Sequence, residues 1–189
     1  MKNLYHILEF NKNFVEEKSY QEYQTSKFPD KKMVILSCMD TRFVELLPKA
    51  MNLKNGDVKI IKNAGAIVSH PFGSVMKSIL IAVYELSAEE VFVIGHYDCG
   101  MSQINSKKMI EHIKERGISL EVINTIENSG ISLEKWLSGF DHVEDNVRNS
   151  VNLIKKHPLL PKDVPVHGLI MDPSTGKLDL IIDGYKEIQ

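Results

Sequence analysis

Cysteine is scarce in this chain of 189 residues, where only Cys38 and Cys99 occur. Small secreted domains that depend on disulfides carry many more cysteines, so the scarcity excludes that class and favours a reducing compartment. An excess of charge of one sign is also missing, since 23 basic and 25 acidic residues give a formal net charge of −2. This balance argues against a nucleic acid or an anionic membrane as partner and predicts a small molecule instead.

Long apolar runs are absent too. The longest lies around residues 79–86, far short of the ~20 residues that cross a bilayer. At the N-terminus, Asn, His, Glu and Lys interrupt the apolar residues, so the continuous apolar core of a signal peptide is missing. We therefore expect a cytoplasmic protein without a membrane anchor.

Internal repeats, low-complexity tracts and linkers rich in Pro, Gly and Ser are likewise absent, which argues against a second domain. With 43% hydrophobic residues, the chain is long enough for one domain with its own core. We expect a single domain over residues 1–189, with a helical arm at 1–30 and an α/β core at 31–189. The arm should pack outside the sheet or on a partner subunit.

Short runs rich in β-branched residues alternate with segments of helical period, a pattern typical of an α/β domain with a parallel sheet. Strands are predicted at residues 33–37, 58–61 and 91–94. Apolar residues that recur every three or four positions predict a helix after the second strand, with Pro71 in its first turn: Val75, Ile79, Val83 and Leu86. The same spacing predicts a later helix that ends before Pro158: Phe140, Val143, Val147, Val151 and Ile154.

The closing segment, residues 164–185, is predicted to form two strands joined by an Asp-Pro-Ser-Thr-Gly turn. Such a hairpin puts an antiparallel strand at the sheet edge. We therefore expect a mostly parallel sheet of order 2-1-3-4 with an antiparallel edge strand, flanked by helices. Residues 117–139, which glycines punctuate, fit either short helices that cover the sheet or a mobile lid.

Residues with chemical potential directly follow the first and third predicted strands. Cys38 comes after the first, and the run Gly-His-Tyr-Asp-Cys-Gly at 95–100 comes after the third. Ligands collect beyond the carboxyl ends of neighbouring parallel strands, so we expect Cys38, His96 and Cys99 to meet there. Two thiolates and one imidazole suit zinc, and three protein ligands leave a fourth position open, as catalytic zinc sites require.

Simpler explanations exist for each of these residues alone. Free cysteine is commonly buried, and a lone histidine is usually a hydrogen-bonded polar group. The three together, each at a strand end, favour the metal site. A redox pair of Cys38 and Cys99 is a further alternative, although it leaves His96 without a role.

Asp40 and Arg42 follow Cys38 at alternate positions. If Cys38 binds a metal, the Asp40 carboxylate lies close enough to become a fourth ligand or to stand beside the metal-bound water. Arg42 bears on that choice, because a guanidinium can bind the carboxylate through two parallel hydrogen bonds and hold it off the metal. Without the metal cluster, the pair is an ordinary helix-start carboxylate with a surface arginine.

The three strand ends together resemble those of a known family. Cys-x-Asp-x-Arg after the first strand, Asn63-Ala64-Gly65 after the second and His-x-x-Cys-Gly after the third resemble the β-class carbonic anhydrases, and the shorter microbial branch most closely. The resemblance runs from about residue 33 to residue 101, and the final hairpin is also similar. Cys-x-Asp-x-Arg alone is a weak pattern, but its combination with His-x-x-Cys-Gly about sixty residues later is specific.

The resemblance implies a lyase, carbonate dehydratase, that hydrates carbon dioxide reversibly to bicarbonate by attack of zinc-bound hydroxide. It implies Zn²⁺ held by Cys38, His96 and Cys99. Asp40 and Arg42 then form a catalytic dyad, with Asp40 a fourth ligand only in a closed state.

The same resemblance implies a homodimer or a dimer of dimers, with the N-terminal helix reaching across to the partner. Two alternatives to carbonic anhydrase activity stay open. Hydrolases of carbonyl sulfide or carbon disulfide share the fold and the metal site, and a catalytically silent zinc-binding protein is the alternative outside enzymology.

Overall fold

Five strands form one sheet in residues 2–188, the part of the chain that the computed structural model describes. The strands are β1 (Met33–Cys38), β2 (Val58–Asn63), β3 (Glu90–His96), β4 (Val166–Met171) and β5 (Leu178–Ile182). Their order is β2-β1-β3-β4-β5; the first four are parallel, and β5 runs antiparallel to β4. The predicted fold class, strand order and antiparallel edge strand are confirmed.

The central strands β1 and β3 are almost continuous apolar runs because helices or loops cover both faces of the sheet. Val34 and Leu36 of β1 belong to the core on the face of the longer helices, whereas Ile35 belongs to a smaller core with Phe43 on the other face. Each strand also extends one or two residues beyond its predicted carboxyl end. Cys38 and His96 are therefore the last residues of their strands rather than residues that follow the strands.

The helices are α1 (Asn3–Glu16), α2 (Leu46–Ala50), α3 (Ser74–Glu85), α4 (Ser106–Glu115), α5 (Leu120–Asn128), α6 (Leu133–Trp136) and α7 (Val143–Lys155). Short 3₁₀ turns lie at Ser19–Tyr23, Thr41–Phe43, Ala64–Ala66, Gly100–Gln103 and Gly184–Glu187. In residues 117–139 the structure shows the short helices α5 and α6. No helix within residues 2–188 is both long enough and apolar enough to cross a bilayer.

The expected place of Pro71 in the first turn of a helix is wrong. Residues 70–73 form a turn that the Gly73 N–H closes on the His70 carbonyl at 3.1 Å, and α3 begins only at Ser74. The predicted buried face of this helix is otherwise present, because Ile79 is fully buried and Val75 and Val83 pack against the same core.

Helix α7 lies across β3 and β4, where two glycines permit a close approach. A Cβ atom at Gly95 or at Gly168 would come within 2.8 Å of a methyl group of Val147. The helix therefore sits closer to the sheet than any larger residue would allow, and Val147, Val151 and Ile154 are fully buried. Phe140, which was expected on this helix face, precedes the helix start at Val143.

Helix α1 is the exception to this packing. Each of its residues is exposed or half-buried, and Phe14 packs on Tyr23 of the following 3₁₀ turn with ring centroids 6.3 Å apart. The outward side chains include large apolar residues that a lone chain leaves in water: Leu4, Ile7, Leu8, Phe10 and Val15.

Candidate metal centre

Three side chains of the ligand type meet at the carboxyl ends of β1 and β3. Cys38 ends β1, His96 ends β3, and Cys99 follows three positions later. One potential ligand atom from each lies within 4.8 Å of the other two, and the two sulfur atoms are 3.9 Å apart. All three residues are buried. The structure thus brings together the three residues that the sequence predicts to meet, because β1 and β3 are neighbours in the sheet.

A left-handed turn allows the strand end to supply both His96 and Cys99. Asp98 has φ = 51°, a conformation that few side chains adopt readily but that Asp and Asn tolerate. The Tyr97 N–H bonds the Met171 carbonyl at 3.1 Å and ties the start of this turn to β4. The chain then folds back, so that Cys99 faces Cys38.

The hydrogen bonds of His96 leave one ring nitrogen free for a ligand. Its Nδ1 lies 2.8 Å from the Tyr97 carbonyl oxygen, so Nδ1 carries the proton and donates it, while Nε2 keeps a lone pair. Nε2 is buried and has no hydrogen-bond partner among residues 2–188. Burial alone would lower the pKa of His96, but the nearby Cys38 thiolate and the hydrogen bond to the Tyr97 carbonyl outweigh it and raise that pKa. A buried lone pair without a partner is costly, and a metal ion at this position would satisfy it.

The two thiols share a proton when no ion is bound. Their mutual hydrogen bond lowers the pKa of Cys38 to about 4, and it raises the pKa of Cys99, as does burial. At neutral pH, the pair therefore holds one proton and one negative charge. A cation that binds both sulfurs replaces this proton, because thiolates rather than thiols are metal ligands.

The segment Asn63-Ala64-Gly65 supports the Cys38 sulfur from the neighbouring strand end. The Asn63 side chain closes the turn by accepting from the Ile67 N–H at 3.2 Å and donating to the Ile67 carbonyl at 2.7 Å. Gly65, with φ = 77°, then points its N–H at Cys38 Sγ over 3.4 Å. The buried Asn146 of α7 donates to the Gly65 carbonyl at 2.8 Å and fixes this peptide. The donor set, its burial and this support fit a bound divalent cation of the zinc type.

The Arg42 guanidinium binds the Asp40 carboxylate through two hydrogen bonds. Arg42 Nε donates to Asp40 Oδ1 at 3.0 Å and Nη2 donates to Oδ2 at 2.8 Å, while the Arg42 backbone N–H bonds Oδ1 at 2.9 Å. These bonds lower the pKa of Asp40 to about 2. The ionised carboxylate stands beside the cluster, with Oδ2 3.9 Å from His96 Nε2.

Asp98 is a contact of the site that sequence reasoning missed. Arg42 Nη1 donates to Asp98 Oδ2 at 3.0 Å, and Nη2 donates to the Asp98 backbone carbonyl at 3.1 Å. The two residues are 56 positions apart in the chain. The available signal was the position of Asp98 inside the His-x-x-Cys turn, once β1 and β3 are placed side by side.

One cleft reaches the cluster, and a second lies beside the turn that follows β2. One of about 600 Å³ is lined by His96, Asp98, Cys99 and Asp141, among others. A larger one of about 1240 Å³ runs past the Asn63-Ala64-Gly65 turn and under α6, with apolar lining from Ala64, Ile67, Met101, Trp136 and Phe140.

The more similar of the known proteins carry the name carbonic anhydrase. The sequence model of the carbonic anhydrase family matches residues 33–178. YtiB of Bacillus subtilis (strain 168), provisionally named a carbonic anhydrase, is 68% identical over 179 residues, which cover 95% of this chain and 96% of YtiB. The crystal structure of β-carbonic anhydrase isoform I from Trichomonas vaginalis is 34% identical and has a TM-score of 0.88, covering 98% of this chain and 100% of that one.

A more distant relative carries a different activity in its name. A carbon disulfide hydrolase of Acidithiobacillus thiooxidans is 24% identical over 157 residues, which cover 79% of this chain and 76% of the hydrolase. Sequences related to this chain therefore carry names that refer to more than one substrate.

Proposed function

The chain belongs to the β-carbonic anhydrase family, and from that membership we propose that it is a zinc-dependent carbonate dehydratase, a lyase that converts carbon dioxide and water reversibly to bicarbonate. The observation that carries the proposal is the buried cluster of Cys38, His96 and Cys99, in which the His96 Nε2 atom has no hydrogen-bond partner within residues 2–188. Carbon dioxide is small, neutral and apolar, so its hydration needs a nucleophile beside an apolar wall more than it needs charged binding groups.

Zinc is the ion we propose for this cluster, with Cys38, His96 and Cys99 as its ligands. When bound, it supplies a nucleophile at neutral pH, because it lowers the pKa of its water from ~15.7 to roughly 7. The Tyr97 carbonyl holds the His96 ring in the tautomer that presents Nε2. The thiols must be reduced to act as ligands, so the proposal includes a reducing compartment, the cytoplasm.

Asp40 and Arg42 form the proposed catalytic dyad. With a pKa of about 2, Asp40 is ionised throughout the neutral range and can only accept hydrogen bonds. Held by Arg42, it accepts a hydrogen bond from the attacking water and orients a lone pair of that water toward the substrate carbon. Release from Arg42 would free the same carboxylate to bind the cation as a fourth ligand, which is the closed state.

Water must reach the site while the substrate is held against apolar groups. Ala64, Met101 and Phe140 line the larger cleft and provide such groups. The product bicarbonate is an anion and gains little from these walls, which favours its release into water.

A homodimer or a dimer of dimers is the proposed assembly. Helix α1 has 14 residues and turns large apolar side chains to solvent, and an isolated helix of that length is marginal in water. Packing of α1 on a second copy would bury those side chains. The same proposal treats residues 1–30 as an arm and residues 31–189 as the core of one domain. Light scattering on the full chain and on a chain that lacks residues 1–16 tests it, and a monomeric full chain would contradict it.

Purified protein, assayed for zinc per chain and for carbon dioxide hydration by stopped flow, tests the proposed function. Wild type should carry one zinc per chain and hydrate carbon dioxide. Cys38→Ser should lose the metal, whereas Asp40→Asn should keep the metal and lose most of the rate. The same samples, given carbon disulfide, report hydrogen sulfide release.

Three results would overturn parts of this assignment. Zinc without turnover of either substrate would make the chain a silent zinc-binding protein. Turnover of carbon disulfide without carbon dioxide hydration would replace the substrate. Unchanged zinc affinity in Cys38→Ser would remove that ligand from the site.

A further inference from the structure

Arg42 connects two loops that have no covalent link near the site. The first loop leaves β1 after Cys38 and carries Asp40 and Arg42, and the second leaves β3 after His96 and carries Asp98 and Cys99. Besides its two hydrogen bonds to the Asp40 carboxylate, the Arg42 guanidinium donates to the Asp98 carboxylate at 3.0 Å and to the Asp98 carbonyl at 3.1 Å. The guanidinium thus spans the gap across which the two sulfur atoms face each other.

We propose that Asp98 is a positioning residue whose ion pair with Arg42 clamps the two loops and keeps Cys38 at binding distance from His96 and Cys99 before the metal ion arrives. The bonds from Arg42 to Asp40 and Asp98 do not involve the ion, so they can hold the two loops together before it binds. The inference rests on the metal-binding part of the proposed function and adds a residue that no ligand pattern names.

The backbone conformation of Asp98 gives independent support. The left-handed φ of 51° is unfavourable for most side chains, whereas Asp tolerates it. In this conformation one residue both turns Cys99 back toward Cys38 and extends a carboxylate to Arg42. Glycine would make the turn with less strain, but it would lack the carboxylate.

The strength of the clamp follows from its exposure. The Asp98 side chain is 68% exposed and that of Arg42 is 40% exposed, so the pair lies in the range of solvent-screened ion pairs. Loss of the carboxylate should weaken metal binding about two- to five-fold, because such pairs are typically that weak. The Asp98 carbonyl keeps its bond to Arg42 in any side-chain variant, which also limits the loss.

Zinc affinity, measured by competition with a chromophoric chelator, tests the clamp in wild type, Asp98→Asn, Arg42→Gln and the double variant. Asn suits the left-handed turn and has nearly the same shape, so only the charge is removed. Asp98→Gly, which also suits the turn, serves as a second variant if Asp98→Asn folds poorly. Asp141→Asn is the matched control, because Asp141 lines the same cleft while Arg42 bonds to Asp40 and Asp98 instead.

If the clamp acts through the ion pair, Asp98→Asn lowers zinc affinity about two- to five-fold in the wild-type background and leaves it unchanged in the Arg42→Gln background. An equal loss of zinc affinity in both backgrounds, with the same loss in Asp141→Asn, would overturn the clamp. It would show that any nearby negative charge raises zinc affinity, whether or not it is paired with Arg42. An unchanged affinity in Asp98→Asn would overturn it as well. A wild type that binds no zinc would overturn the proposed function itself, and the clamp with it.

Discussion

Gly139 lies so close to the loop that follows Cys99 that any side chain there should disturb the fold. A Cβ atom at this position would lie 1.7 Å from the Met101 carbonyl oxygen and 2.8 Å from its carbonyl carbon. Both are backbone atoms that no rotamer change can move away. The Phe140 N–H also bonds that carbonyl at 3.4 Å, so the two segments are tied at the contact. In Gly139→Ala the backbones must separate by more than 1 Å.

The expected cost of Gly139→Ala is about 1–3 kcal/mol, the usual range for an overpacked contact. For a chain of this size, 1 kcal/mol shifts the unfolding midpoint by roughly 2–4 °C, so the midpoint should fall by about 2–12 °C. Differential scanning calorimetry or circular dichroism on zinc-loaded protein measures the shift.

Gly100→Ala is the matched control for this substitution. A Cβ at Gly100 meets no atom of residues 2–188 within 4 Å, and Gly100 directly precedes Met101 on the same loop. Gly→Ala at an unstrained position stabilises a protein by about 0.4–1 kcal/mol because it lowers the conformational entropy of the unfolded chain. The unfolding midpoint of Gly100→Ala should therefore rise or stay level. Equal midpoints for the two variants would refute the steric argument.

Three further predictions concern the site and the core. Cys99→Ser should bind zinc at least ~10–100-fold more weakly than wild type, because the loss of a residue that only hydrogen-bonds a metal ligand already lowers metal affinity that much. The zinc retained per chain after dialysis against a chelator checks this. Asn146→Ala removes the buried donor to the Gly65 carbonyl, so the free energy of unfolding in urea should fall by about 1–3 kcal/mol. Asn149 is exposed on the same helix, and Asn149→Ala should lower that free energy by less than ~0.5 kcal/mol. Similar losses in the two variants would contradict the role of Asn146. Burial lowers the pKa of His167 below 6.5, so below pH 6.5 the unfolded chain binds a proton that the folded chain resists, and stability should fall as the pH drops through this range. His167→Gln should lose less stability between about pH 7.5 and 5.5, and an equal loss would show that another group controls the pH response.

The arrangement of the sheet and of the three ligand-type residues was accessible from the sequence because both depend on strong, local signals. Apolar runs mark β1 and β3, the closing hairpin has a recognisable turn, and parallel strands present their carboxyl ends at one edge. Once strands one and three are neighbours, the approach of Cys38 to His96 follows from the topology of the sheet.

Contacts between loops that are distant in sequence could not be predicted from these local patterns. The pairing of Arg42 with Asp98 depends on a left-handed turn at one non-glycine residue, and Asp is only one of the residue types that tolerate such a turn. The close approach of Gly139 to Met101 depends on how α6 and α7 are placed over the sheet. Pro71 shows a further limit, since a proline suits a helix start and a preceding turn equally well, and tertiary packing selected the turn.

The geometry of the metal centre is the central claim, and X-ray absorption at the zinc edge of the zinc-loaded protein tests it most directly. Ligation by Cys38, His96 and Cys99 predicts two sulfur scatterers at ~2.3 Å and the remaining nitrogen or oxygen scatterers at ~2.0–2.2 Å. A spectrum without sulfur scatterers, or with only one, would contradict the account.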